Sequence, residues 1–238
     1  LDWGPAGPPV LWRANVGVGF ASLAIADGRL YTLGNEANIE TIWCLDAATG
    51  EPVWKQSFAE PLDPNLFEGG PTATPTVQQG AVFTFSRRGL AQCWDAATGE
   101  LRWRVNVPEV CDVNIPTWGF AGSPVVVGDR VLLTAGRAGV ALHRQTGEVL
   151  WKSDNGDDAG YATPVVLAAD DKSPSALFLS GKSLHAVDVA TGREVWEHRW
   201  ITRYGVNAAD PIPTPAGILL SSGYAKGTAL LQVAEPAR

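Results

Sequence analysis

The chain has 238 residues, 45% of them hydrophobic and 18% charged, with a net charge of −7 at pH 7. Such a composition suits a packed, ordered protein rather than a disordered one. The acidic balance and the lack of any basic run argue against a nucleic-acid partner. No apolar stretch is long enough to span a bilayer, and three widely spaced cysteines (Cys44, Cys93, Cys111) fit neither a disulfide framework nor a CxxC zinc site.

In chain order, P-P-V-L-W-R-A-N-V (8–16) reads as a last strand without the three that should precede it, with Trp12 in a position that recurs. The chain begins without a Met or a charged-then-apolar leader and is read as a mature or truncated segment. Four repeats follow, at about 16–58, 69–107, 119–155 and 160–201, and a partial unit covers 207–238. Each full repeat carries a D-x-x-T-G-x-x-x-W stretch: Asp46, Gly50 and Trp54; Asp95, Gly99 and Trp103; Gly147 and Trp151, with His143 in the Asp place; Asp188, Gly192 and Trp196. The Trp-to-Trp steps are 49, 48 and 45 residues, a period that belongs to stacked repeat architectures.

Each repeat resolves into four short strands, shown by the second: T-P-T-V, A-V-F-T-F-S, L-A-Q-C-W and E-L-R-W-R-V, separated by Gly- and Asp-bearing turns. No window sustains a 3.6-residue apolar period, so helices should be few. Four-stranded antiparallel units at this period predict an all-β fold, a β-propeller forming one domain over 1–238. In the repeated turn the Asp carboxylate accepts backbone amides two and three residues on, and the Gly supplies positive φ. Asp46, Asp95 and Asp188 are therefore assigned to structure, and His143 to a surface substitution rather than a metal ligand. The recurring Trp is read as the wedge that fills the gap to a neighbouring blade. Cys44 and Cys93 share a column with Ala141 and Ala186, which marks a small buried site.

Chemistry is expected just before each first strand. There Ser22, Thr74, Ser123, Thr163 and Asp210 fall at equivalent positions and would ring one mouth of the central channel, as strand-entry caps or as a binding ring. Phe20, Glu68, Thr72, Trp118, Phe120, Tyr161 and Asn207 lie in the same loops and are candidates to line that mouth. The long loops at 60–71 and 108–119 carry Asp63, Asn65, Glu68, Asp112 and Asn114, whose oxygens suit Ca²⁺ by type but not by spacing, so no metal site is assigned. The S-D-N-G-D-D run at 153–158 lacks calcium-loop spacing and reads as a solvated turn. GxSxG, HExxH and phosphate-loop signatures are absent.

The unit x-x-D-x-x-T-G-x-x-x-W resembles the tryptophan-docking motif of the quinoprotein alcohol dehydrogenase-like propellers, the PQQ-like repeat proteins, over about residues 16–224. The resemblance implies a bacterial, periplasmic or secreted propeller. Rings in that family usually have seven or eight blades, so the chain is expected to be part of such a ring. The other reading has the N-terminal strand completing the fifth unit to close a small ring. The family holds PQQ-dependent dehydrogenases, in which the quinone lies on the axis between a Trp and a disulfide of adjacent cysteines, beside Ca²⁺ and a catalytic Asp. It also holds non-catalytic members. This sequence has no adjacent cysteines. The resemblance thus implies a binding or scaffold module facing a protein, peptide or saccharide. The alternative is a PQQ- and Ca²⁺-dependent dehydrogenase or a degenerate relative, with the cofactor near Trp118 and Asp210 as base or calcium ligand.

Overall fold

A computed structural model describes residues 4, 7–64, 67–167 and 174–232. The first sheet is β1 (Ala24–Ala26), β2 (Arg29–Glu36), β3 (Ile39–Asp46) and β4 (Pro52–Ala59). The second is β5 (Thr76–Gln78), β6 (Ala81–Phe85), β7 (Leu90–Asp95) and β8 (Leu101–Asn106), followed by a single helix turn, α1 (Val107–Cys111). The third is β9 (Val125–Val127), β10 (Arg130–Leu133), β11 (Val140–His143) and β12 (Val149–Lys152). The fourth is β13 (Val165–Leu167), β14 (Ser175–Leu179), β15 (Ser183–Asp188) and β16 (Glu194–Arg199). A fifth sheet holds β17 (Ile212–Thr214), β18 (Gly217–Ser222) and β19 (Gly227–Leu231). Every sheet is an antiparallel meander in chain order, and the short first strands β1, β5 and β9 lie side by side toward the axis.

One apolar cluster fills each gap between neighbouring sheets. Ile42, Cys44 and Phe58 meet Val82 and Trp94 between the first two; Phe83, Cys93 and Trp103 meet Val131, Leu133 and Leu142 between the next. Phe178 and Val187 pack on Leu132 and Trp151, and Ile218 and Leu220 on Leu177 and Ala186. Cys44, Cys93, Ala141 and Ala186 are all buried, as expected of a small-residue column under a neighbouring sheet.

The repeated turn works as its residues dictate. Asp46 Oδ1 accepts the amides of Ala48 and Thr49 at 3.0 and 2.9 Å, and Asp95 Oδ1 those of Ala97 and Thr98 at 2.9 Å each. Where the third copy has His143, its Nδ1 lies 3.0 Å from Thr146 Oγ1, so the imidazole takes over part of the turn-closing role. The glycine has a second reason to be there. A Cβ on Gly99 would stand 2.7 Å from Trp54 of the preceding blade, one on Gly147 2.9 Å from Trp103, and one on Gly192 2.6 Å from Trp151. The indole then donates across the gap: Trp54 Nε1 to Ala96 O at 3.0 Å, Trp103 to Arg144 O at 2.8 Å, Trp151 to Val189 O at 2.9 Å. Each wedge is thus seated in the turn of the next blade.

Trp12 repeats the arrangement, with its indole against Gly50 and Nε1 donating to Ala47 O at 3.2 Å. The N-terminal segment therefore stands where a preceding blade's outer strand would lie, although residues 8–16 form no strand. Among the described residues it does not complete the fifth sheet, which has three strands.

Candidate binding face

The meander sends two kinds of loop to one side of the molecule: those leading into each first strand and those joining second to third strands. The D-x-x-T-G turns occupy the opposite side. The first set holds most of the candidate residues, and the structure separates them into three groups.

The equivalent hydroxyls and Asp210 form a belt of hydrogen bonds from blade to blade. Ser22 N–H donates to Thr74 Oγ1 at 3.1 Å, Thr74 N–H to Ser123 Oγ at 3.0 Å, Ser123 N–H to Thr163 Oγ1 at 3.2 Å, and Thr163 N–H to Asp210 Oδ1 at 2.7 Å. Thr74, Ser123 and Thr163 each receive the amide of one neighbour and give their own to the next, while Ser22 only donates and Asp210 only accepts. Thr72 adds a parallel link, donating from Oγ1 to Phe120 O at 2.9 Å. Geometrically these are inter-blade connectors, and Asp210 already accepts an amide.

A second group is buried in packing. Phe120 is 0% exposed and stacks on Phe85 with centroids 4.9 Å apart, so it belongs to the core rather than to a mouth. Asn207 is also 0% exposed. Its Nδ2 donates to the carbonyls of Ser180, Gly181 and Trp200 at 2.9, 3.2 and 3.1 Å, and its Oδ1 accepts from Ser222 Oγ at 2.9 Å. Every polar atom of that side chain is engaged in holding loops together. Neither residue lines the face.

The third group is partly or largely exposed. Phe20 meets Phe67 edge-on at 5.3 Å, Trp118 meets Tyr161 at 5.8 Å, and Tyr204 meets Tyr224 at 5.1 Å. Phe20, Tyr204 and Tyr224 are all more than half exposed. Burial pushes the Tyr161 phenol above its ordinary range, so it stays neutral. Between the first two pairs lies Arg87, from the R-R-G break between β6 and β7. It is 1% exposed, with its guanidinium 4.7 Å under the Phe67 ring. Nε and Nη1 have no hydrogen-bond partner, and the nearest carboxylate oxygen, Asp63 Oδ2, is 3.9 Å from Nε. Sequence reasoning missed Phe67, Arg87, Tyr204 and Tyr224. The double arginine before a glycine was the available signal. Glu68 is exposed on this face, while Asn65 lies outside the described residues.

Carboxylates of the 153–158 turn have local partners. Asn114 Nδ2 donates to Asp158 Oδ1 at 3.2 Å, tying the 108–119 loop to the 153–158 turn. Asp154 Oδ1 accepts Gly156 N–H at 3.0 Å, and the carboxyl is held below its ordinary range by that bond and by Arg137. His185, Glu194 and Glu197 bring potential ligand atoms within 4.8 Å of one another. Arg137 already occupies the cation's place, with Nη1 2.8 Å from Glu194 Oε2.

Two carboxyls stand apart. Glu40, in β3, is 0% exposed, and neither of its oxygens has a partner. Burial first, and then the charge of Glu60, push it up to about 8. Glu60 is raised by burial, although Ser86 Oγ and Arg88 N–H donate to its Oε1 at 3.0 and 3.2 Å. Glu60 also borders a cavity of about 480 Å³ with Arg88, Asn106 and Glu109.

The residues present do not fit PQQ and calcium as the resemblance would place them. The three cysteines are free, buried and far apart in sequence, and Asp210 is engaged in the belt.

A family model described as outer membrane protein assembly factor BamB matches residues 38–212. No curated protein matches the sequence. Among solved structures, BamB from Moraxella catarrhalis is 18% identical with a TM-score of 0.59, covering 92% of this chain and 61% of that one. Quinohemoprotein alcohol dehydrogenase from Comamonas testosteroni is 16% identical at 0.61, covering 90% and 39%. A europium-containing methanol dehydrogenase is 16% identical at 0.56, covering 82% and 45%. The chain spans less than two thirds of each of these structures, and likeness at such identity speaks to the fold. With four sheets built on one repeated turn and wedge, and a family model covering most of its length, the chain belongs to the PQQ-like β-propeller repeat family that includes the assembly factor BamB.

Proposed function

We propose that the chain is a binding or scaffold module of an extracytoplasmic bacterial propeller, recognising a protein partner through the loop face. The single observation that carries this reading is the division of labour on that face. The polar ring is engaged in joining blades, while half-buried aromatic pairs flank Arg87, and Phe20, Tyr204 and Tyr224 are left exposed. Exposed aromatic side chains offer large contact area at little conformational cost, and Tyr, Trp and Arg are the residues that carry most binding energy at interfaces. A catalytic site would need an acid–base pair within hydrogen-bond reach of a shared space, and the described candidates do not make one. The family's assembly-factor members and the periplasmic setting of its relatives favour the same reading.

The test is site-specific photocrosslinking in cells carrying the full-length protein. A benzophenone side chain at Tyr161 or Tyr204 is expected to give a discrete protein adduct, and one at Thr49 on the turn face is not. Adducts from both faces alike, or from neither, defeat the scaffold reading. Saturable, Ca²⁺-dependent quenching of Trp fluorescence by PQQ, lost in Trp118→Ala, would establish the dehydrogenase reading instead.

A further inference from the structure

Resting on that reading, we propose that Arg87 is the anchor for a carboxylate carried on a flat apolar group of the bound ligand. Arginine stays charged at any pH a folded protein meets, and a buried charge left without hydrogen bonds is strongly unfavourable. The fold nevertheless encloses this guanidinium and leaves Nε and Nη1, which carry three N–H donors, without acceptors.

The enclosure is built for the side chain. A Cβ on Gly119, at φ +76°, would stand 2.2 Å from Arg87 Cγ, so only glycine lets the chain pass there. The backbone is locked as well, since Phe120 N–H donates to Arg87 O at 2.8 Å. Phe67 covers one side of the guanidinium at 4.7 Å, and Trp118, next to Gly119 in the chain, packs against Tyr161. Asp63, with a side chain 55% exposed, reaches to 3.9 Å of Nε without forming a hydrogen bond. Its oxygen also lies 4.0 Å from Arg88 Nη1.

The arrangement is that of a charge-assisted acceptor site with a resident acid at its rim. A planar carboxylate is the acceptor that matches guanidinium donors in geometry and charge. The surrounding rings select a flat apolar body behind it. On this account an incoming carboxylate takes the donors that Asp63 approaches but does not satisfy.

The probes are benzoate and its neutral counterpart benzamide, titrated into the full-length protein while Trp fluorescence and melting temperature are followed. Benzoate is expected to quench and stabilise where benzamide does neither. Asp63→Asn removes the competing acid from an exposed position and should tighten benzoate about tenfold, leaving benzamide unchanged. An acetyl-Phe-Glu-Phe-amide peptide, set against its Gln analogue, distinguishes the source. Binding tighter than benzoate assigns the carboxylate to a protein segment, and binding no tighter assigns it to a small molecule. Equal responses to benzoate and benzamide in both the natural protein and Asp63→Asn overturn the proposal. Crosslinks from the loop face without a benzoate response would defeat only the Arg87 assignment. Benzoate binding without crosslinks would defeat the scaffold reading and leave a small-molecule site.

Discussion

Replacing Glu40 with Gln should stabilise the protein, and by an amount that grows with pH. The carboxyl is fully enclosed between the first two blades without a hydrogen-bond partner, and its folded value is pushed from 4.5 up to about 8 by burial and by Glu60. The sign follows from proton binding. Between those two values the folded chain holds a proton that the unfolded chain releases, so stability is full below 4.5 and falls as pH rises toward 8. Integrating proton linkage over that interval gives a cost of under about 1 kcal/mol at pH 5 and about 4 kcal/mol at pH 7.5. Glutamine has the shape of the protonated acid and does not titrate, so Glu40→Gln escapes the loss. Urea unfolding of both proteins at pH 5 and 7.5 measures it. The variant's advantage should widen by about 3 kcal/mol between the two conditions, equivalent to roughly 6–12 °C in melting temperature for a domain of this size. An advantage that stays constant with pH would show that Glu40 does not carry a raised folded value, and the linkage reasoning would fail.

Two further outcomes follow from the inter-blade contacts. Gly99→Ala should cost about 2–3 kcal/mol, because it combines positive φ with a methyl pressed onto Trp54, whereas Gly80→Ala, at φ +71° in open space, should cost about 1 kcal/mol. Denaturant titration separates the pair, and equal losses would remove the wedge explanation. Ser123→Ala should leave the Thr74 amide unpaired at a cost of about 1–2 kcal/mol, with faster hydrogen exchange at that amide, and Ser123→Thr should restore both.

What the sequence disclosed was what repeats. The D-x-x-T-G turn is legible because its hydrogen bonds close within five residues, and the propeller follows from the spacing of those turns. The wedge was legible too, but not where it seats. That Gly99 makes room for Trp54 depends on two segments more than forty residues apart, and no local rule connects them. The ring of Ser22, Thr74, Ser123, Thr163 and Asp210 was visible as an equivalence, and only three-dimensional structure shows the last four side chains each accepting the amide of the preceding one. Phe120 and Asn207 looked like pocket residues because they lie in loops. Their burial reflects how tightly those loops fold back onto the sheets. Arg87 was hidden in a hairpin break, since nothing in R-R-G distinguishes the guanidinium that is enclosed from the one at Arg88 that is exposed.

The belt of amides and side-chain oxygens has a direction. Every joint runs the same way, with an amide on the lower-numbered blade and an acceptor on the higher, so the two flanks of a blade are chemically unlike. Association of that kind is heterologous, the head-to-tail sort that generates rings and filaments rather than face-to-face pairs. The connector makes one demand at each position, a residue with both a free N–H and a short oxygen-bearing side chain, which serine, threonine and aspartate all meet and proline never does. Because the demand is the same at every joint, a blade can be duplicated, deleted or exchanged without rewriting its neighbours. The coupling fixes the direction in which blades follow one another around the axis.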